Sequence, residues 1–192
     1  PFTNRGAYRP QYWPHVIDRG MKATVGETWR EDVWISSGKG GLHHPGMAHL
    51  NAWTISRLWW DVDQDIDVLL DEYYATFYGP AAAEMKAFIE FCETEYPRLG
   101  TDGEIAAEAL ELFDRARAAA PADSVHGQRI ALVDEFLTTF RNRAQQMSQP
   151  RPEGLPEYRL IDMGKDKWRD VQDTLTIDGT LDEGFWTAYP YP

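Results

Sequence analysis

The segment from Gly46 to Pro80 places the strongest constraint on the fold, because it predicts two helices joined by a short acidic turn. In its first half, apolar residues recur at helical spacing and predict one buried stripe, formed by Met47, Leu50, Ile55, Leu58 and Trp59. The turn at 61–65 contains three aspartates, whose carboxylates suit the unpaired amides at the start of a helix. The second half predicts a second buried stripe, formed by Ile66, Leu69, Leu70, Tyr73, Tyr74 and Phe77. Gly79 and Pro80 then predict the end of this helix and the start of the next.

Three longer helices are predicted after this pair. The first runs from Pro80 to about Glu95, and the second from a capping box at Thr101 and Glu104 to Pro121. The third runs from about Ser124 to Ser148. The predicted buried faces are Met85, Phe88, Ile89 and Cys92 in the first, Ile105, Ala109, Leu112 and Ala116 in the second, and Val133, Phe136, Leu137, Phe140, Ala144 and Met147 in the third. Because the links are short, we expect an antiparallel helical bundle.

The amino-terminal region predicts a different kind of structure. A short helix is expected from about Gln11 to Arg19, closed by Gly20, and a short buried strand from Met21 to Val25. Helix, strand and a long loop in this order are typical of one unit of a (β/α)8 barrel. The predicted fold class is therefore mainly α, an antiparallel helical bundle that follows a remnant of such a barrel.

The carboxyl-terminal region predicts a linker and a new domain. Residues 149–156 are rich in proline and predict a semi-rigid linker. Residues 176–186, with the sequence TIDGTLDEGFW, predict a strand, an Asp-Gly turn and a buried Trp186. They resemble the opening of a family-nine carbohydrate-binding module, which implies an incomplete β-sandwich. A tail held against the bundle by Phe185 and Trp186 is the alternative. The predicted domains are 1–45, 46–148, 149–170 (the linker) and 171–192.

A longer resemblance covers the middle of the chain. The pattern from Ile55 to Ala82, which includes RLWWDVDQDIDVLLDEYY and YGPAA, resembles a family of bacterial proteins in which a helical domain follows a glycosidase-like barrel. That arrangement is similar to the helical domain behind the barrel of the α-glucuronidases. The resemblance extends over roughly residues 20–144 and implies a class of protein without naming a sugar.

Glu27 is the candidate catalytic residue, because it follows the predicted strand, where active-site loops of such barrels begin. Glycoside hydrolysis needs two carboxyl groups. Partial burial beside Trp29 and Trp34 would suit Glu27 to the acid role. A sugar-binding role or a surface pair with Arg30 are the alternatives, and the second carboxylate is not identified. Candidate substrate-binding residues are Trp29, Trp34, His43 and His44.

The remaining motifs do not predict a cofactor. The spacing of His43, His44 and His49 matches no standard zinc motif, so no metal is expected. The glycines at 38–41 lack the order of a phosphate-binding loop. The single Cys92 cannot form an internal disulfide.

Charge and hydropathy limit the partners. A formal charge of −12 and a pI of about 4.8 argue against nucleic acid, which binds clustered Lys and Arg. No apolar run approaches the length of about 20 residues that spans a bilayer. Both ends of the sequence are expected to be cuts through a longer protein.

Two functions from different classes follow. The first is the carboxyl-terminal portion of a glycoside hydrolase acting on a polysaccharide, inactive by itself, whose helical domain supports the barrel or forms a homodimer. Its substrate class implies a secreted or periplasmic location. The second is a non-catalytic helical module that binds a glycan or a protein, or serves as a scaffold.

Overall fold

A computed structural model describes residues 9–27 and 45–149. The elements are α1 (Pro14–Thr24), α2 (Pro45–Trp60), α3 (Ile66–Tyr78), a 3₁₀ turn (Gly79–Ala81), α4 (Ala82–Thr94), the single-turn α5 (Tyr96–Leu99), α6 (Gly103–Ala119) and α7 (Val125–Met147). These two ranges contain no strand, so the mainly α-helical prediction is confirmed for this part of the chain.

The chain divides into two compact units, Pro1–Pro150 and Arg151–Pro192, and all the described residues belong to the first. The predicted strand and carbohydrate-binding module at 171–192 lie outside the described residues. The predicted domain boundaries at residues 45, 148 and 170 stay predictions.

One main core joins α2, α3, α4, α6 and α7. Its largest fully buried side chains are Tyr12, Tyr74, Tyr78, Phe88, Phe113 and Phe140. The buried stripe predicted for α3 is confirmed, except that Phe77 is only half-buried. Burial of aromatic side chains of this size is the main stabilising contribution to such a core.

Helix α1 corrects the prediction for the amino-terminal region. The predicted helix was to end at Gly20 and the predicted strand to begin at Met21, but α1 continues through both to Thr24. Ile17 of α1 is buried against Ile55, Leu58 and Leu69, in a small second core. An i,i+4 ion pair joins Asp18 and Lys22 at 2.7 Å. The prediction of a strand is wrong because tertiary packing and the Asp18–Lys22 pair extend the helix through this short apolar run. Periodicity alone cannot distinguish helix from strand in so short a run.

The direction of α1 follows from its two ends. The backbone N–H of Trp13 donates to Asn51 Oδ1 at 2.9 Å, and Lys22 Nζ donates to the Gln64 carbonyl at 3.1 Å. The start of α1 thus lies beside the middle of α2, and the end of α1 lies beside the turn that follows α2. The two helices therefore run parallel. The carboxyl end of α1 therefore lies at the end of the bundle where α2 turns into α3.

The link from α3 to α4 depends on Gly79, as predicted. Its φ is +52°, in the half of the backbone map that glycine tolerates best. The α3 carbonyls that are left free there are satisfied from α7, since Arg129 Nη1 donates to the Phe77 carbonyl at 2.9 Å and His126 Nδ1 lies 3.1 Å from the same oxygen. This end of α3 is therefore held against α7 by side chains of α7 that contact the Phe77 carbonyl oxygen.

Helix α6 begins one residue later than the predicted capping box. Asp102 is the N-cap, and its carboxylate accepts from the backbone N–H groups of Glu104 and Ile105. The buried face is Ala106, Ala109, Phe113 and Ala116, whereas the predicted Ile105 and Leu112 are partly buried at its edge. Pro97 lies in the first turn of α5, two residues after the predicted end of the preceding helix at Glu95. Helix α7 is confirmed, with Ser124 as its N-cap.

Candidate functional site

Two neighbouring tryptophans at the end of α2 are exposed to solvent. The preceding turn of α2 is in the second core through Ile55 and Leu58, which are 6% and 1% exposed. Trp59 is 49% exposed and Trp60 is 91% exposed. Trp60 lies about 200° around the helix axis from Leu58, because successive residues are about 100° apart. The inward position predicted for Trp59 is therefore wrong, because half of its side chain is exposed, and Trp60 lies on the side of α2 opposite Leu58.

Further apolar side chains are exposed at the same end of the bundle. Val25, one residue after α1, is 61% exposed, and Val68, in the first turn of α3, is 65% exposed. Exposed large apolar side chains that lie together are typical of contact surfaces, whereas single ones are common on any protein. The end of the bundle is thus a candidate contact surface.

The turn between α2 and α3 is held by its own polar groups. Gln64 Nε2 donates to the carbonyl oxygens of Arg57 and Asp61, at 2.7 and 2.8 Å. Asp65 accepts from the backbone N–H of Asp67 and Val68, at 2.9 and 3.3 Å, which confirms its predicted capping role. These bonds fix the backbone that follows the two tryptophans.

Carboxylates follow the exposed indole rings along the chain, and another lies in the turn after α1. Asp61 and Asp63 follow Trp60 directly, and Asp61 Oδ1 accepts from the Asp63 backbone N–H at 3.1 Å. Glu27 is exposed in the turn after α1, where its backbone N–H donates to the Thr24 carbonyl at 3.1 Å. We call Glu27, Trp59, Trp60, Asp61 and Asp63 the Trp60 end. It combines aromatic faces with acceptor-only carboxylates on an open surface.

Of the residues predicted to form a sugar site, the structure describes only Glu27. Trp29, Trp34, His43 and His44 lie outside the described residues, so their roles stay predictions. Sequence reasoning did not select Trp60, although its position two residues after Leu58 places it on the opposite side of α2. This offset from Leu58 was the signal in the sequence that could have identified Trp60 as an exposed residue.

A second polar cluster lies between α1, α3 and α4. His15 Nδ1 lies 2.6 Å from Glu93 Oε2, and its Nε2 lies 3.2 Å from Asp67 Oδ1. Glu93 Oε1 also accepts from the backbone N–H of His15 and Val16, at 3.0 and 3.2 Å, and so caps α1 from α4. The hydrogen bond to Glu93 is the main cause that raises the pKa of His15 to about 9.

The His15 cluster lines an open groove of about 550 Å³ together with Arg19, Lys86, Glu90 and Thr94. Because His15 is protonated at neutral pH and both its nitrogens are occupied, it cannot accept a proton from a substrate there. We therefore assign this cluster to the attachment of α1.

Other reactive or metal-binding groups are not assembled in the described residues. Cys92 is fully buried, and burial raises the pKa of its thiol. Residues 9–27 and 45–149 contain no group of three His, Cys, Asp or Glu side chains that would hold a metal ion. No helix among them is long and apolar enough to cross a membrane.

Comparison with known proteins gives one family match. Residues 2–90 match the model of a family described as a domain of unknown function, DUF4838. The matched residues include α1, α2 and α3, and therefore the whole Trp60 end. No curated protein and no solved structure matches the chain.

Proposed function

We propose that this chain is the carboxyl-terminal portion of a glycoside hydrolase acting on a polysaccharide, and that its helical unit supplies a non-catalytic surface that contacts the glycan. The observation that carries this proposal is the Trp60 end, where a 91% exposed indole ring is followed in the chain by Asp61 and Asp63. The resemblance of residues 55–82 to helical domains behind glycosidase-like barrels supports the same class.

The chemistry of the Trp60 end suits a sugar. The C–H groups of a sugar ring pack against the flat face of an indole, which provides apolar area with little side-chain entropy to lose. The hydroxyl groups around the ring need acceptors, and Asp61, Asp63 and Glu27 offer only acceptors. An open surface of this kind contacts a chain of sugars along its length without enclosing one ring.

The helical unit has a supporting role in this proposal. Helix α1, where one strand of a barrel was predicted, packs on α2 and α3. This packing favours a non-catalytic role for the described residues. A barrel before the bundle, a carbohydrate-binding module after it and a secreted or periplasmic location belong to the proposal as expectations about the parent protein, whereas catalysis by Glu27 stays a prediction from the sequence.

Affinity electrophoresis of the 192-residue chain in gels that contain soluble polysaccharides tests the proposal. We expect at least one polysaccharide to retard the chain, and Trp60→Ala to weaken that binding at least about tenfold, which corresponds to about 1.4 kcal/mol. Because Trp60 is almost fully exposed, the substitution should leave the melting temperature unchanged.

Leu132→Ala, which changes an exposed apolar residue of α7, is the matched control and should bind like the unmodified chain. Equal retardation of the Trp60→Ala variant and the unmodified chain would contradict the proposed site. Absence of retardation in every gel would favour the alternative of a protein-binding or scaffold module.

A further inference from the structure

The ring of Trp60 is held by little except its own backbone. Its side chain is 91% exposed, so neighbouring side chains restrict it only slightly. Trp60 is also the last residue of α2, and the ends of helices fray because their terminal carbonyl groups lack partners within the helix. A ring at this position therefore points in a defined direction only if other groups hold the last turn of α2.

The side-chain amide of Gln64 holds this last turn. Its Nε2 donates to the Arg57 carbonyl at 2.7 Å and to the Asp61 carbonyl at 2.8 Å. The Arg57 carbonyl also accepts from the backbone N–H of Asp61 at 3.1 Å, in the hydrogen bond that closes α2. Trp60 lies between Arg57 and Asp61 in the chain, so one amide group fixes the backbone on both sides of it.

The amide of Gln64 is itself oriented by α3. Its Oε1 accepts from Arg57 Nη2 at 3.3 Å, and Arg57 in turn donates to both carboxylate oxygens of Glu72, at 3.2 and 3.4 Å. The donor end of the amide is thereby directed at the two carbonyl groups of the last turn. This set of hydrogen bonds needs a side chain with both a donor and an acceptor, and an ionised carboxylate has no donor.

The backbone of Gln64 connects the same turn to the other two helices of this end. Lys22 Nζ of α1 donates to the Gln64 carbonyl at 3.1 Å, while it pairs with Asp18 at 2.7 Å. The next residue, Asp65, caps α3. The half-buried Gln64 thus lies where the ends of α1 and α2 meet the start of α3.

We infer that Gln64 is a positioning residue for Trp60: it holds the last turn of α2, so that the indole ring is already in place when a glycan arrives. This inference rests on the proposed function and adds a residue that acts on the site through the backbone. Binding costs more free energy when a side chain has to be ordered at the same time, so a ring that is ordered beforehand binds more tightly.

Gln64→Met tests this role, because methionine has nearly the same length, makes none of these hydrogen bonds and leaves the charge unchanged. Gln128→Met is the matched control, since it removes a side-chain hydrogen bond to the Asp123 carbonyl at the start of α7. The heteronuclear NOE of each indole N–H reports the mobility of its ring. Affinity electrophoresis with a polysaccharide that retards the unmodified chain reports binding.

In Gln64→Met, we expect the NOE of Trp60 to fall and the NOE of Trp53, which packs against the main core, to stay unchanged. We expect the affinity to decrease at least about threefold. Gln64→Glu keeps the size and the acceptor of the side chain but has no donor, so it should have the same effects, with Gln128→Glu as the control for its charge. Both controls should behave like the unmodified chain.

An unchanged NOE of Trp60 in both Gln64 variants would overturn the inference. A lower NOE with unchanged retardation, or an equal loss of affinity in the Gln64 and Gln128 variants, would also overturn it and leave the proposed function standing. Absence of retardation of the unmodified chain in every gel would contradict the proposed function, and the inference with it.

Discussion

At the scale of single residues, His15 shows how a long-range contact fixes the position of a helix. Nothing in the sequence around His15 predicts a partner, because Glu93 is 78 residues away along the chain. In the structure, Glu93 binds both the imidazole ring and the first amides of α1. The N-cap residue Trp13 offers no side-chain acceptor for those amides, so Glu93 replaces a local cap.

This arrangement predicts a pH dependence of stability. The folded state raises the pKa of His15 from 6.5 to about 9, so protonation is favoured by folding. The stabilisation is therefore complete below pH 6.5 and is lost as the pH rises through about 9. Because 30% of the side chain is exposed, we expect a contribution of only about 1–2 kcal/mol, which urea unfolding between these two pH values should measure.

His15→Gln should remove this dependence, and His49→Gln is the control. Burial lowers the pKa of His49 below 6.5. Its contribution to the free energy of unfolding therefore decreases as the pH falls below 6.5 and does not change in the alkaline range. If the unmodified chain and the His15→Gln variant lost the same stability over the alkaline range, the role given to His15 would be wrong.

At the scale of elements, α1 shows where sequence periodicity fails. Met21 to Val25 contains apolar and β-branched residues in a run of five, which is too short to distinguish a strand from the end of a helix. In the structure, α1 is helical to Thr24 and buries Ile17 against α2 and α3. The Thr101 capping box failed for a related reason, because Asp102 is an equally good N-cap one residue later.

Two glycines give opposite predictions for the same substitution. Gly20 lies within α1, where an added Cβ has no neighbour within 4 Å, so Gly20→Ala should stabilise the protein by about 0.5–1 kcal/mol. Gly79 has a φ of +52°, and an added Cβ would lie 2.6 Å from His126 Nε2. Gly79→Ala should therefore destabilise it by about 2 kcal/mol or more.

Urea unfolding of the two variants checks both values. A loss of stability in Gly20→Ala would indicate that Gly20 ends a helix, as the sequence first suggested, and would contradict the extent of α1. Unchanged stability in Gly79→Ala would contradict the positive φ of the link between α3 and α4.

At the scale of the whole molecule, the bundle was predictable from the sequence and the candidate site was not. Helical period and caps identified α3 and α7, because each has an apolar stripe and a capping residue, and helical period alone identified α2. Trp60 lies opposite the buried face of α2, but the exposure of Trp59, four residues after the buried Ile55, depends on where α2 extends beyond the helices that cover that face. That boundary is a property of the assembled bundle, and a tryptophan in an apolar segment is more often buried.

The parallel course of α1 and α2 determines where Glu27 lies in the bundle. It brings Glu27, the predicted catalytic residue, to the end of the bundle that carries Trp60. Glu27 was selected because of a strand that does not exist, so its presence there does not test its catalytic role. In this account it is one of the carboxylates around a glycan-contacting surface.

The indole N–H signals of the tryptophans give the most direct test of this surface. In a two-dimensional NMR titration of the 192-residue chain with an oligosaccharide from a polysaccharide that retards it in gels, we expect the Trp60 and Trp59 signals to shift together. We expect the Trp53 signal, from a ring packed against Tyr73, to stay in place. Assignment by single Trp→Phe substitutions identifies each signal. If the titration moved the Trp53 signal and left the Trp60 signal in place, the Trp60 end would not be the glycan-contacting surface.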